Sequence, residues 1–196
     1  MWFLGFDPGG QNSFGWAVLL VGSSGHPEDL KTGVCSDAIA ALDRANRFVG
    51  TAPTAIGIDA PLYWSAAGDR KADARIRKLV CTAGGKSGTV GHVNSLRGAC
   101  LVQGALIAYH ASELWPSATI TEAHPKALLR VSYGAQGFHK SQLHSVPTEH
   151  ERDAGLAAYS AWAAATRLPG WRNLVAEEVA PFFPSGRQIT YWFPVE

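Results

Sequence analysis

Residues 2–10, Trp2-Phe3-Leu4-Gly5-Phe6-Asp7-Pro8-Gly9-Gly10, are an apolar run that ends in an acid and is broken at once by a turn sequence. The run has the length and continuity of a strand buried on both faces, with Asp7 at its mouth. A carboxylate there must be paired, protonated or bound to a metal, because an unpaired charge is costly to desolvate. Ala55-Ile56-Gly57-Ile58-Asp59 repeats the design, and Ala60-Pro61 turns the chain away. If the two strands are neighbours, both carboxylates lie within reach of one cation.

A third acid comes from Glu149-His150-Glu151-Arg152-Asp153-Ala154, which opens a helix spanning 147–167 that Pro169-Gly170 stops. His150 and Asp153 are three apart and share one helical face. Ala154, Gly155, Ala157, Ala158 and Ala161 make that helix slim enough to approach a sheet closely. Mg²⁺ and Mn²⁺ are hard cations that take carboxylate oxygens, and two such ions about 3.5–4 Å apart clamp the attacking and leaving oxygens of a phosphodiester. Taken singly, each acid also has an ordinary role: Asp-Pro-Gly is turn chemistry, Asp59 can cap, and acids in a first helical turn favour the dipole. Three acids at three element ends favour a shared metal site.

The remaining chain fits an α/β sheet of mixed direction. Strands are predicted at 2–6, 13–21, 30–35, 55–59 and 118–124, helices at 37–48, 95–114 and 147–167, and an edge strand at 189–195. The helix at 95–114 has an apolar stripe of Leu96, Ala99, Val102, Leu106 and Tyr109. Segment 63–94, rich in Gly, Ser and basic residues, reads as an insertion or mobile lobe. Strand-end acids gather on one edge of such a sheet, where sites form in open α/β folds.

The 196 residues, 46% hydrophobic and 17% charged, describe one globular domain rather than a disordered chain. The net charge of +1 gives no global bias toward nucleic acid or membrane. Three cysteines without ligand spacing suit a reduced, cytoplasmic protein, and no apolar run is long enough for a membrane span. The charge is uneven. Between Arg70 and Arg97 stand seven basic residues and one acid, Asp73, leaving −5 for the rest of the chain. Arg70, Arg77, Lys86 and Arg97, with Lys126 beyond them, are therefore candidate phosphate contacts, although Asp73 could instead pair with Arg70 or Arg77. Gly84-Gly85-Lys86-Ser87 is not a phosphate loop of the Walker type, because Val80 stands where the first glycine is required. Glu122 and His124 share one face of a strand; Glu122 is a candidate metal ligand, and His124 is a candidate general base, a support behind the ligands, a substrate contact or the partner of a core carboxylate. Trp64 is a candidate stacking platform or a rim-packing residue.

FDPGGQNSFGWAV, IGIDAPL and EHERDAGLAAYSAWAA together resemble the ribonuclease H-like superfamily, and within it the uncharacterised family numbered 429 among domains of unknown function. Arg70-Lys-Ala-Asp73 and Glu122-Ala-His124-Pro125 match that family's Arg-x-x-Asp and Glu-x-His-Pro stretches, whereas Lys126 stands where the family often has an acid. Asp-Pro-Gly-Gly and His150-x-x-Asp153 are also similar to Holliday-junction resolvases. The resemblance implies a mixed sheet whose first three strands form an antiparallel meander followed by parallel strands, and a metal-dependent nuclease using two ions. It implies Asp7 bridging both metals, Asp59 on one, Asp153 with His150 on the other, and Glu122 as an extra acid. The implied partner is DNA or RNA, with a homodimer among the options. The competing expectation is a non-catalytic protein of the same fold that binds nucleic acid or a nucleotide.

Overall fold

The computed structural model describes residues 1–63, 70–91, 98–179, 181, 183 and 185–195. Five strands, β1 (Trp2–Asp7), β2 (Phe14–Val21), β3 (Pro27–Cys35), β4 (Ala55–Ile58) and β5 (Thr119–Glu122), form one mixed sheet in the order β3-β2-β1-β4-β5. The first three are an antiparallel meander, and β1, β4 and β5 run parallel. The α/β class and the mixed sheet expected from sequence are thus both present.

Period-two alternation divides the apolar residues of the sheet between two faces. Leu4, Phe6, Trp16, Val18, Ile56 and Ile58 face one core, closed by α1 (Ala38–Asn46) and α3 (Gly98–Leu114). Phe3, Ala17, Leu19 and Ala55 face the other, closed by α2 (Lys71–Thr82), α4 (Pro125–Val131), α5 (Tyr133–Gln142) and α6 (Glu149–Thr166). Asp37 caps α1 by accepting from the Ala40 amide at 2.9 Å. Among the described residues, no helix is long and apolar enough to cross a membrane.

Several sequence expectations change. Residues 71–82, expected in an insertion, form α2, whose Ala72, Ile76 and Val80 lie in the main core; residues 64–69 and 92–94 of that region, with Trp64, and residues 95–97 of the expected next helix, with Leu96 and Arg97, lie outside the described residues. The apolar stripe of α3 faces outward at Val102, Leu106 and Tyr109, while Ile107, Ala108 and Ala111 are buried. The expected edge strand is instead β7 (Trp192–Pro194), which pairs with β6 (Trp171–Asn173) in a separate two-stranded sheet, while Thr190, ahead of β7, makes an isolated bridge to Thr121 of β5. Helices α4 and α5 were not expected; Pro125 begins a helix, at a position where its fixed φ and missing N–H are tolerated.

Glycine lets α6 lie directly on the sheet. A Cβ on Gly15, Gly5 or Gly57 would stand 2.2, 1.9 or 1.9 Å from the carbonyl oxygens of His150, Ala154 and Ala157 respectively. These glycines belong to three adjacent strands, with Gly5 opposite Gly57 and Asp7 opposite Gly15. The helix therefore crosses β2, β1 and β4 in backbone contact, presenting its own small residues in return. Thr148 and Glu151 form a capping box at its start, so the first turn, which carries His150, and Asp153 just after it are fixed against the sheet edge.

Candidate metal centre

Register brings the strand-end acids together. Phe6 pairs with Ile58 and Ile58 with Glu122, so Asp7 and Asp59 leave neighbouring strands side by side. The Asp59 amide donates to the Phe6 carbonyl at 2.8 Å, holding the two ends in step beyond the last pair. From above, α6 adds Asp153 and His150. The His150 Nδ1 lies 2.7 Å from Asp7 Oδ2. Lys126, at the second position of α4, ion-pairs with Glu149 at 2.7 Å and lies 3.9 Å from Asp153 Oδ2.

These carboxylates interact unfavourably. Burial raises Asp59 to about 8, and the charges of Asp7 and Asp153 add to the rise. Burial and the Asp7 charge raise Asp153 to about 7. Burial also raises Asp7, against the opposing pull of its His150 hydrogen bond. No arginine reaches any of the three among the described residues. A concentrated, partly desolvated set of oxygen donors at a sheet edge fits a hard divalent cation.

A second group of acids lies beside the first and is organised differently. The Arg70 guanidinium is buried and forks onto two carboxylates. Its Nε and Nη2 each donate to Asp73 at 2.7 Å, while Nη1 and Nη2 donate to Glu122 at 2.9 and 2.7 Å. Glu122 Oε2 also accepts the Leu62 amide at 3.0 Å, and Oε1 lies 3.1 Å from His124 Nε2. Tyr63 covers one side of the guanidinium, 4.4 Å from its ring centroid, and Tyr191 stands 5.7 Å away. Burial alone would raise the Glu122 carboxyl, but Arg70 and His124 reverse this and hold it at about 2. Asp73, Glu122 and His124 place ligand atoms within 4.8 Å of one another, a spacing that could hold a metal ion. The guanidinium already supplies a cation there and donates to both Glu122 oxygens.

The expected site residues therefore separate. Asp7, Asp59, Asp153 and His150 converge as the sequence suggested. Glu122, expected as a metal ligand, is engaged by Arg70. Arg70, expected to meet substrate phosphate, is instead an interior residue, because two buried acids claim all of its donors on that side. His124 bridges the two groups, with Nδ1 3.8 Å from Asp59 Oδ1. Lys126 stands at the site as expected. Arg77 on α2 is half-buried with its guanidinium toward the Val90 carbonyl, and Lys86 is exposed on the following turn. The fork between Arg70, Asp73 and Glu122 was visible in sequence only as one pairing option. Gly5-x-Asp7 and Gly57-x-Asp59, with a glycine two before each strand-end acid, are a signal that the sequence reading did not use. The chain matches no family model, no curated protein and no solved structure.

Proposed function

We propose that the chain is a ribonuclease H-like nuclease that hydrolyses phosphodiester bonds with a pair of divalent ions, Mg²⁺ or Mn²⁺. The observation that carries this reading is the convergence of Asp7, Asp59 and Asp153, from β1, β4 and α6, without a guanidinium to neutralise them among the described residues. The donor set suits the group: all-oxygen, anionic, at a sheet edge, with one imidazole alongside. Asp7, Asp59 and Asp153, with His150, are the residues that would hold the ions. When bound, the ions supply Lewis-acid polarisation of phosphoryl oxygen and of water.

The chain's own groups do the rest. The α6 backbone, seated on Gly5 and Gly57, fixes Asp153 over the strand ends. Glu122 orients His124 through Nε2, leaving Nδ1 toward Asp59. Lys126 offers a positive charge at the mouth and balances Glu149 and Asp153 until a metal enters.

The test is Mn²⁺ titration by calorimetry alongside cleavage of a labelled oligonucleotide, with wild type and Asp7→Asn. Wild type is expected to bind Mn²⁺ and cleave only when it is present, and Asp7→Asn to lose both while keeping its circular dichroism spectrum. Full cleavage by Asp7→Asn would end the proposal.

A further inference from the structure

Three concavities that share walls lead away from the carboxylates. The first, about 460 Å³, begins beside the site and is lined by Thr89, Lys126, Leu129, Arg130 and Glu149. The second, about 370 Å³, shares Arg130 and continues over Leu79, Ala83 and Gln136 to Tyr133. The third, about 250 Å³, shares Tyr133 and Pro194 and ends against Trp171. Together they form one groove along the outer side of α4 and the start of α5.

Its chemistry changes along its length. Lys126 and Arg130 are four residues apart on one helix, so both stand on the same face about 6 Å apart along the axis. Lys126 is balanced by Glu149, whereas Arg130 forms no ion pair among the described residues. Beyond Arg130 the lining carries no charge. At the junction of the last two concavities, Tyr133 is 90% exposed.

Resting on the nuclease reading above, we propose that this groove binds the single-stranded part of a nucleic-acid substrate. One phosphate lies on Arg130, and the next base stacks on the Tyr133 ring. A duplex hides its base faces and presents two lines of phosphate. The groove offers one cation free of an acidic partner, then a bare aromatic face and neutral walls, which suits a strand whose bases are unpaired. The occupant is therefore a single strand leaving the metal centre, either a free strand or the displaced arm of a branched substrate.

The probe is a fluorescent oligothymidylate of about 12 nucleotides, within the usual range of strand-binding sites. Its anisotropy is measured in EDTA to suppress cleavage, beside a duplex of equal length. Wild type is expected to prefer the single strand. Tyr133→Ala should weaken it by about 5- to 100-fold, the usual worth of one stacked base, while Tyr133→Phe binds like wild type. Arg130→Gln should flatten the salt dependence by about 0.7, the share of one phosphate contact in single strands. Neither variant should alter Mn²⁺ binding, nor duplex affinity in the case of Tyr133→Ala. If wild type binds and cleaves while both variants match it, the groove assignment falls and the nuclease reading stands. A preference for duplex would also overturn the groove assignment. If wild type neither binds nor cleaves any nucleic acid, both fall.

Discussion

The molecule holds two groups of acids beside one another, joined by His124, and among the described residues only one of them is neutralised by an internal guanidinium. Around Arg70, each buried carboxylate meets a guanidinium donor, and Glu122 is held at about 2. Around Asp7, three carboxylates face one another with a histidine and a partly exposed lysine at the margin, and Asp59 rises to about 8. Both are buried acid clusters, yet the first is a closed ion-pair network, whereas in the second the carboxylates raise one another's pKa. Counting acids would not separate them. The partner of each oxygen does.

Opposite outcomes should follow from comparable changes, the largest in the Arg70 network. Arg70→Met leaves Glu122 and Asp73 buried without a counter-charge, which typically costs about 3–5 kcal/mol. Urea denaturation should show that loss or an unfolded protein. A stable variant would mean that Glu122 and Asp73 are protonated, and that the guanidinium is not what distinguishes the two groups. Next in size is Gly57→Ala, which puts a Cβ 1.9 Å from the Ala157 carbonyl oxygen and must lift α6. Overpacking of this kind costs about 1–3 kcal/mol. Because the lift also withdraws Asp153, Mn²⁺ affinity should fall along with stability, whereas a strain confined to the core would leave it alone.

Much of the candidate metal centre was legible because its residues are local. An apolar run ending in Asp, and a small-residue helix starting with His-x-x-Asp, carry their meaning within a few positions. The strands of β1 and β2 and the turn between them were legible for the same reason. What escaped the reading depends on distant partners. Arg70 looked like a phosphate contact because it opens a run of seven basic residues ending at Arg97; only the meeting of α2 with the end of β5 turns it inward. The α3 stripe of Val102, Leu106 and Tyr109 has helical spacing, yet periodicity cannot say which side a sheet will cover, and the sheet took Ile107, Ala108 and Ala111. Helix α4 was hidden by Pro125, read as a strand terminator though it also starts the helix.

The two groups should also respond to pH in opposite directions. Glu122 has a folded value of about 2, below its ordinary 4.5, so the stability it contributes is present above 4.5 and lost as pH falls through 2. Asp59 and Asp153 have folded values of about 8 and 7, above the ordinary 3.8. Between those limits the folded chain binds more protons than the unfolded one, so metal-free stability declines as pH rises from 4 to 8. Asp59→Asn should flatten that decline and raise the metal-free melting temperature at pH 8 by roughly 2–8 °C, as removal of about 1–2 kcal/mol of repulsion would. At pH 5, where Asp59 is already protonated, the gain should vanish. Mn²⁺ should bind more tightly as pH rises, since protons compete for the same oxygens. An Asp59→Asn variant destabilised at pH 8 would show that this carboxylate has an internal partner after all.

The smallest change sharpens the comparison most, because it deletes one positive charge beside the second group. Lys126 is mostly exposed and pairs with Glu149 at 2.7 Å, so Lys126→Met should alter stability by about 0–1 kcal/mol. Its effect on the site should be larger than its effect on the fold. The ammonium lies 3.9 Å from Asp153 Oδ2 and lowers both Asp153 and Asp59. It therefore does weakly, from outside, what Arg70 does for Glu122 from inside. Without it the carboxylates hold their protons to higher pH, but a divalent ion no longer meets a positive charge at the mouth. At pH 9, above the folded values, only the second consequence survives, and Mn²⁺ affinity should rise a few-fold over wild type in calorimetry. At pH 6 the proton competition should cancel that gain. Weaker Mn²⁺ binding at both values would mean that Lys126 helps to arrange the carboxylates, and that the second group is partly neutralised by the chain itself.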